Sequence, residues 1–508
     1  LAYEGDADAF FSVEAADSGA KSITAAAKDT FISTEAANEP ELAAGIPNIS
    51  GIKKLDDYTV EVVTNGYEAP AIYQIFGVRA APLHYYGDGN YDYENNNFGH
   101  PYGDLSGVKA KTTEPLGMGP YKFVKYENRV VYLEANPNYF LGEPKTKYVQ
   151  FKESNDAEFV AGIATGTIDS ANVNGSKSNF NDIASYNDNG EITGNVISTY
   201  LVDNRGYGYI GLNASTILVG EDPASAESKD LRKAIGTVLA VYRDVAYDSY
   251  YGEAASVIQY PISNTSWAAP QPTDPGYKNA FSTDVDGNPI YTDQMGSDER
   301  YEAAIAAAKG FLVAAGYTFD EATGLLTAAP EGAKLSYEVL IPGEGTGNHP
   351  SFQVLTDASN ALATIGFELK INDLTDTSLL WEILDSGKQE LWCAAWQSTV
   401  DPDMYQIYHS SSITGRGGAE SNRYFVDDPE LDQLIIDARQ SDDQAYRKEI
   451  YKAALDIIVD WAVEVPAYQR QNSVVFSTER VDNATVTQDI TTFYDWDYDI
   501  QNLQMIAQ

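Results

Sequence analysis

Between residues 46 and about 205 the apolar positions mostly alternate with polar ones. After that they recur at three- and four-residue intervals. Tyr58-Thr-Val-Glu-Val-Val63 alternates as a half-buried strand does. Gly119–Tyr126 and Arg129–Ala135 predict two further strands, and Glu127-Asn128 between them suits a tight hairpin turn. Tyr148–Lys152 predicts a third strand, and a short helical stretch precedes Thr165–Asp169. Beyond Gly206 the spacing of Leu231, Ala234, Ile235, Val238, Leu239 and Tyr242 marks an amphipathic helix. Tyr301–Ala315 reads as an alanine-rich helix stopped by Gly316. Leu335–Ile341 and Glu368–Ile371 read as strands flanking a helix over Phe352–Ile365, which implies an α/β domain. Helices over Leu431–Ile436 and Tyr446–Val459 and a strand at Val474–Phe476 follow. Residues 1–45, rich in Ala, Asp, Glu and Ser, carry only weak helical patterning and predict a partial helical segment.

The densest stretch runs from Trp392 to Arg439. An apolar strand, Trp392-Cys-Ala-Ala-Trp396, leads to Asp401-Pro402-Asp403, then to Asn422-Arg423-Tyr424, then to Asp428-Pro429-Glu430-Leu431. Asp401 and Asp428 both have the chemistry of a helix N-cap, each followed by proline and then an acid near the positive end of the dipole. Two helix starts are therefore expected there.

Composition narrows the classes. A chain of 508 residues exceeds one ordinary core and predicts two or three domains. Its 75 acidic against 33 basic side chains leave a net charge of −42. That field repels phosphates and anionic headgroups, so neither nucleic acid nor a membrane surface is an expected partner. The acidity serves solubility first; attraction of a cationic ligand is the sharper reading. Cys393 is the one cysteine and lies in an apolar run, where a buried structural thiol is expected. No apolar run reaches membrane-spanning length, and Leu1 is preceded by no secretion signal, so a truncated N-terminus is expected.

Motif chemistry is sparse. Gly343-Glu-Gly-Thr-Gly347 lies between a strand and a helix, but its spacing lacks the third glycine of a dinucleotide loop, and a flexible connection is expected. Asp284-Val-Asp-Gly-Asn288 imitates the opening of a calcium loop; Pro289 and Met295 occupy positions that need glycine and glutamate, so an Asp-Gly turn is expected. His84, His100, His349 and His409 share no metal spacing, and neither a nucleophile elbow nor a Walker lysine is present. No metal and no cofactor are expected. Trp267, Trp392 and Trp396 have two readings, core aromatics or the wall of a binding site.

Several segments resemble, in order, the bacterial extracellular solute-binding proteins of family 5. Ile52–Val60 resembles a family strand, and Pro115–Phe123 followed by Glu134–Tyr139 resembles its most recognisable signature. Leu231–Ile235 with Tyr242-Arg243-Asp244, the 392–439 stretch, and Val465-Pro466-Ala-Tyr468 complete the series. The resemblance implies a two-lobed α/β clamp of the periplasmic-binding-protein kind (type II, cluster C) with mixed sheets and flanking helices. One lobe would hold residues 46–207 and the return segment 467–508; the other would be the α/β block 208–466. Strands would cross between lobes near Val202–Gly211 and Val463–Gln471.

It implies too a monomeric, extracellular component of an ABC importer, either a cell-surface lipoprotein or periplasmic. That component would hand a peptide or small-molecule solute to permease subunits and would not be an enzyme. The implied ligand site gathers Trp392, Trp396 and Trp267 as aromatic wall, Ser398, Thr399 and Asp401 toward the polar end of the ligand, and Asn422, Arg423 and Tyr424 on a facing loop. Arg423 is the candidate for a ligand carboxylate, because a guanidinium bonds one in bidentate fashion. Well-studied peptide binders place an aspartate where this chain has Ser398, so the charged anchor for a free amine is absent here. The rival reading is a secreted hydrolase acting on peptides or glycans through carboxylates.

Overall fold

The computed structural model describes residues 51–89, 99–100 and 105–506; the helical segment expected within residues 1–45 lies outside them. Two compact units are present. The first holds the described residues up to Tyr67, Gln74–Glu153 and Asp499–Gln504; the second holds Glu68–Tyr73, Ser154–Tyr498 and the described residues from Met505. These breaks do not coincide with the lobe boundaries expected at 207 and 466.

The first unit is built on small antiparallel sheets. Strands β1 (Ile52–Lys54) and β2 (Val60–Val62) pair, as do β3 (Tyr121–Glu127), β4 (Val130–Ala135) and β5 (Tyr148–Lys152) in that order. The β3–β4 turn is Asn128-Arg129, one residue later than expected, and both residues sit at positive φ (54° and 62°). A two-residue loop of that hand matches the right-handed twist of the strands it joins.

The second unit is organised by an eight-stranded mixed sheet. Its α/β part takes β8 (Tyr207–Leu212), β12 (Ser336–Ile341), β13 (Glu368–Asp373) and β14 (Leu391–Trp396), beside a separate antiparallel pair, β10 (Thr318–Phe319) and β11 (Leu326–Ala328). β12 runs parallel to β13 and to β14, while β14 is antiparallel to β8. The long strand β15 (Glu464–Ser477) pairs through its first half with β8 and β9 (Ala255–Val257), and through its second half with β6 (Ser170–Asn174) and β7 (Ile197–Asp203). β7 and β8 meet at Asn204–Gly206, against which the buried Gln469 donates to the carbonyls of Asn204 and Gly206. β15 thus runs through Val463–Gln471, while Val202–Gly211 holds the end of β7, the break at 204–206 and most of β8; both stretches lie within the second unit.

Helices cover both faces of the α/β part. α1 (Ala226–Val241) turns Leu231, Ala234, Ile235, Val238 and Leu239 inward, the stripe predicted from spacing, and joins α3 (Ser297–Ala314) and α4 (Phe352–Ala363) in one core; between α1 and α3 runs α2 (Arg243–Tyr251). On the other face α5 (Pro429–Arg439) and α6 (Gln444–Trp461) enclose an aromatic-rich core.

One expected helix start forms and the other does not. Asp428 caps α5 by accepting from the backbone of Glu430 and Leu431, with Pro429 in the first turn. No helix begins at Pro402. The Asp401 carboxylate is buried and accepts from Arg447, so it is not available to cap. Asp403 instead accepts from Tyr405 N, at the start of the short helix Tyr405–Tyr408.

Candidate functional site

The 343–347 loop is no phosphate cradle: the Asp373 carboxylate fills it, accepting from Gly347 N at 2.8 Å, and it would repel an anion there. Asp284 accepts from the backbone of Asp286 and Asn288, the expected Asp-Gly turn. Among the described residues no three His, Cys, Asp or Glu side chains gather to hold a metal, and no helix is long and apolar enough to cross a membrane.

The aromatic cluster at the end of β14 carries more. Trp392 pairs with Gly211 and Trp396 with Tyr207 across β8. Since side chains two apart on a strand share a face, both indoles lie on the same side of the sheet, one deep and one at its end. Trp392 is fully buried and donates to the Tyr209 hydroxyl at 3.3 Å. A Cβ on Gly211 would stand 2.3 Å from the Trp392 ring, which explains the glycine opposite it. Trp396 is half-buried, stacked on Tyr209 (centroids 5.6 Å apart, planes 9° apart), and its indole N–H donates to the Tyr424 hydroxyl at 3.1 Å.

Tyr424 in turn donates to Glu464 Oε2, which also accepts from Tyr408 at 2.9 Å. Glu464 is fully buried, and burial pushes its carboxyl up to about 7, against the pull of the Tyr424 and Tyr408 hydroxyls and of the nearby Tyr207 and Trp396. Burial likewise raises the Tyr424 and Tyr408 hydroxyls well above the usual phenol range. Asn422 holds the loop in place: its amide donates to the carbonyls of Tyr408, His409 and Val426, and its own oxygen accepts from Val426 N.

A second group gathers around Arg447. Its guanidinium donates to both oxygens of the buried Asp401 (2.8 and 2.9 Å) and to Tyr451, and it lies over the Trp267 ring at 5.3 Å. Thr399 donates to the Asp401 carbonyl at 2.6 Å, so the 397–403 loop is tied to this pair. Arg423 is half-buried, paired with Asp385 at 2.7 Å and lying over Trp381.

The structure thus divides the expected site residues. Trp396, Ser398, Thr399, Trp267 and Arg423 keep accessible surface. Trp392, Asp401, Asn422 and Tyr424 are buried and have their polar atoms engaged behind them. Arg423, expected to await a carboxylate, already has one in Asp385. Sequence reasoning missed Glu464, Tyr209, Tyr408 and Arg447. Only Glu464 left a local signal, a lone acid inside the apolar run Ala462-Val-Glu-Val-Pro466.

A family model for bacterial extracellular solute-binding proteins, family 5 Middle, matches residues 13–418. The oligopeptide-binding protein AppA of Bacillus subtilis (strain 168) is 26% identical over 354 residues, which cover 69% of this chain and 56% of AppA. The probable D,D-dipeptide-binding periplasmic protein DdpA of Escherichia coli (strain K12) is 25% identical over 134 residues, 26% of this chain and 25% of DdpA. The chain therefore spans little over half the length of the first of these relatives and a quarter of the second. Among solved structures, Bacillus subtilis AppA in complex with a nonapeptide superposes with a TM-score of 0.61 at 21% identity, over 90% of this chain and 78% of that one. Lactococcal OppA, complexed with an endogenous peptide in the closed conformation, gives 0.62 at 14% identity over 90% and 77%. NikA from Brucella suis, in complex with Fe(III)-EDTA, gives 0.62 at 15% identity over 94% and 83%. These likenesses show the fold of the two-lobed α/β binding proteins.

Proposed function

The chain belongs to the bacterial extracellular solute-binding proteins of family 5, and on that footing we propose that it captures a peptide or related solute for an ABC importer and delivers it to the permease. The reading makes it a monomeric binding protein outside the cytoplasmic membrane, lipid-anchored or periplasmic, and not an enzyme. The fold alone does not choose the ligand, since proteins of this fold are described with peptides and with Fe(III)-EDTA. The peptide class is supported by the oligopeptide-binding relative at 26% identity. The observation that carries the site is Trp396: a half-buried indole at a strand end, held from behind by Tyr209 and Tyr424 and followed by a polar loop.

In this reading Trp396 and Trp267 form the aromatic wall, and Ser398 and Thr399 meet polar ligand groups. Trp392, Asp401, Asn422 and Tyr424 support them from the core. Arg423 would reach a ligand carboxylate by exchanging Asp385 for it. The lobes would be 46–207 with 467–508, and 208–466, hinged at Asn204–Gly206 and beside Gln469. Domain closure around a ligand is the usual device of such proteins.

Denaturing the purified protein and analysing the released small molecules by mass spectrometry tests the function. Released peptides, with saturable calorimetric binding of a peptide mixture and a smaller radius of gyration on binding, are the expected results. Turnover in a panel of chromogenic peptide and glycan substrates, without stoichiometric binding, would overturn capture in favour of a hydrolase.

Two substitutions test the site. Trp396→Ala should lose about 1–3 kcal/mol of binding, roughly five- to a hundred-fold in Kd, with little loss of stability. Ser398→Asp should supply the missing acidic anchor, because charge-assisted hydrogen bonds are roughly twice as strong as neutral ones. Calorimetry with free-amine and N-acetylated forms of one peptide should then show the free form gaining. An unchanged ratio removes Ser398 from the amine subsite.

A further inference from the structure

The capture reading gives no task to the carboxyl behind Trp396. Glu464 opens β15 in an apolar run, opposite Gly211 of β8. Tyr207 and Tyr209 of β8, Tyr408 of the short helix 405–408, Tyr424 of the loop before α5, and Trp396 of β14 all act on it. Arg423, whose charge reaches Tyr209, is paired with Asp385. No salt bridge to Glu464 forms among the described residues, so phenols and an indole surround an acid that has no counterion.

The direction of the hydrogen bonds follows from the donors. An indole N–H can only donate, so the Tyr424 oxygen accepts from Trp396 and turns its single proton toward Glu464. Chains of this kind polarise one another where the dielectric is low. An anion at the far end pulls on the Trp396 proton and leaves the ring more electron-rich. One face of that ring is stacked on Tyr209, and the ring keeps part of its surface accessible. An electron-rich aromatic face attracts cations.

We propose that Glu464 is a positioning residue for Trp396: through the Tyr424 hydroxyl it fixes the indole, and as an anion it biases that ring toward solutes carrying an ammonium or guanidinium group. The proposal rests on the capture reading for its ligand class, and on the Trp396–Tyr424–Glu464 geometry for its mechanism. Because burial pushes the Glu464 carboxyl up to about 7, the bias is full at pH 8.5 and lost by pH 5.5.

The test uses the whole protein, its Glu464→Gln and Tyr424→Phe variants, and two kinds of readout. Without ligand, the Trp396 indole ¹⁵N–¹H resonance, assigned by its loss in Trp396→Phe, should shift with pH through a midpoint near neutrality. In Glu464→Gln it should stay flat. With ligand, two N-acetylated, C-amidated peptides differing only as lysine against norleucine are titrated calorimetrically. The lysine peptide should be preferred roughly three- to thirty-fold at pH 8.5 relative to pH 5.5, and both variants should bring the two peptides close to parity. A resonance that does not titrate, or that titrates equally in Glu464→Gln, overturns the positioning role. Peptides that bind with an unchanged ratio in both variants overturn the ligand class. If neither peptide binds, and denaturation of the purified protein releases no peptide, but the resonance titrates, the capture reading fails and the positioning role stands. If Glu464→Gln does not fold, Tyr424→Phe carries both comparisons, its resonance being expected to lose the titration.

Discussion

Replacing Arg447 with alanine is expected to lower the unfolding free energy by about 3–5 kcal/mol, because it leaves a buried carboxylate without a partner. The side chain enters the core from α6 and has four tasks there. It donates to both Asp401 oxygens, to Tyr451 and to the Ala438 carbonyl, and its plane lies over Trp267. Asp401 is almost wholly buried, so water cannot take over when the guanidinium is removed. The pair as such need not stabilise the fold. Two charges give up hydration to be buried, and neutral replacement of both partners is often nearly neutral. The double variant Asp401→Asn with Arg447→Met should therefore recover much of the loss. Urea unfolding of Arg447→Ala, Arg447→Met, Asp401→Asn and the double variant measures this. A loss below about 1 kcal/mol in Arg447→Ala would mean that the pair is in effect solvated. The same substitution unseats Trp267 and the 397–403 loop, so binding should weaken along with stability.

Asp401 also shows where the sequence stops being legible. Its setting, acid then proline then acid, is the same local chemistry as Asp428, and local rules assign both to helix caps. Asp428 keeps that role with one oxygen, which accepts from Glu430 N and Leu431 N. Its other oxygen accepts from the Trp461 indole N–H at 2.8 Å, a single neutral donor that leaves the cap in place. Asp401 loses it to a guanidinium 46 residues along the chain, whose Nη2 meets both carboxylate oxygens, since a charged donor outbids neutral backbone amides. The stripe on α1, the breaker at Gly316 and the paired strands β3 and β4 are local and were readable. The sharing of β15 between two halves of one sheet is not, because pairing 170–174 and 197–203 with 471–477 is a matter of register across hundreds of residues. The Glu464 cluster belongs with these: its acid is visible as an oddity in an apolar strand, but its four tyrosines come from 207, 209, 408 and 424.

Trp392 separates the two readings of the tryptophans most sharply. As a ligand wall it would be dispensable for folding. As the structure has it, fully buried against Gly211, Tyr209 and Tyr424, it is core. Trp392→Ala should then destabilise by about 3–5 kcal/mol, the range for truncating a buried large aromatic. Gly211→Ala should cost about 1–3 kcal/mol by overpacking, since the new methyl meets an indole that is enclosed on every side. The two effects are coupled through one contact. In a Trp392→Leu background, with the ring gone, Gly211→Ala should cost distinctly less, and a double-mutant cycle on thermal or urea unfolding reads that difference directly. Trp396→Ala gives the opposite pattern, with affinity lost and stability largely kept. If Trp392→Ala folds as stably as the parent and only ligand binding disappears, Trp392 faces the solute, and the division of this cluster into a supporting core and an accessible wall is wrong.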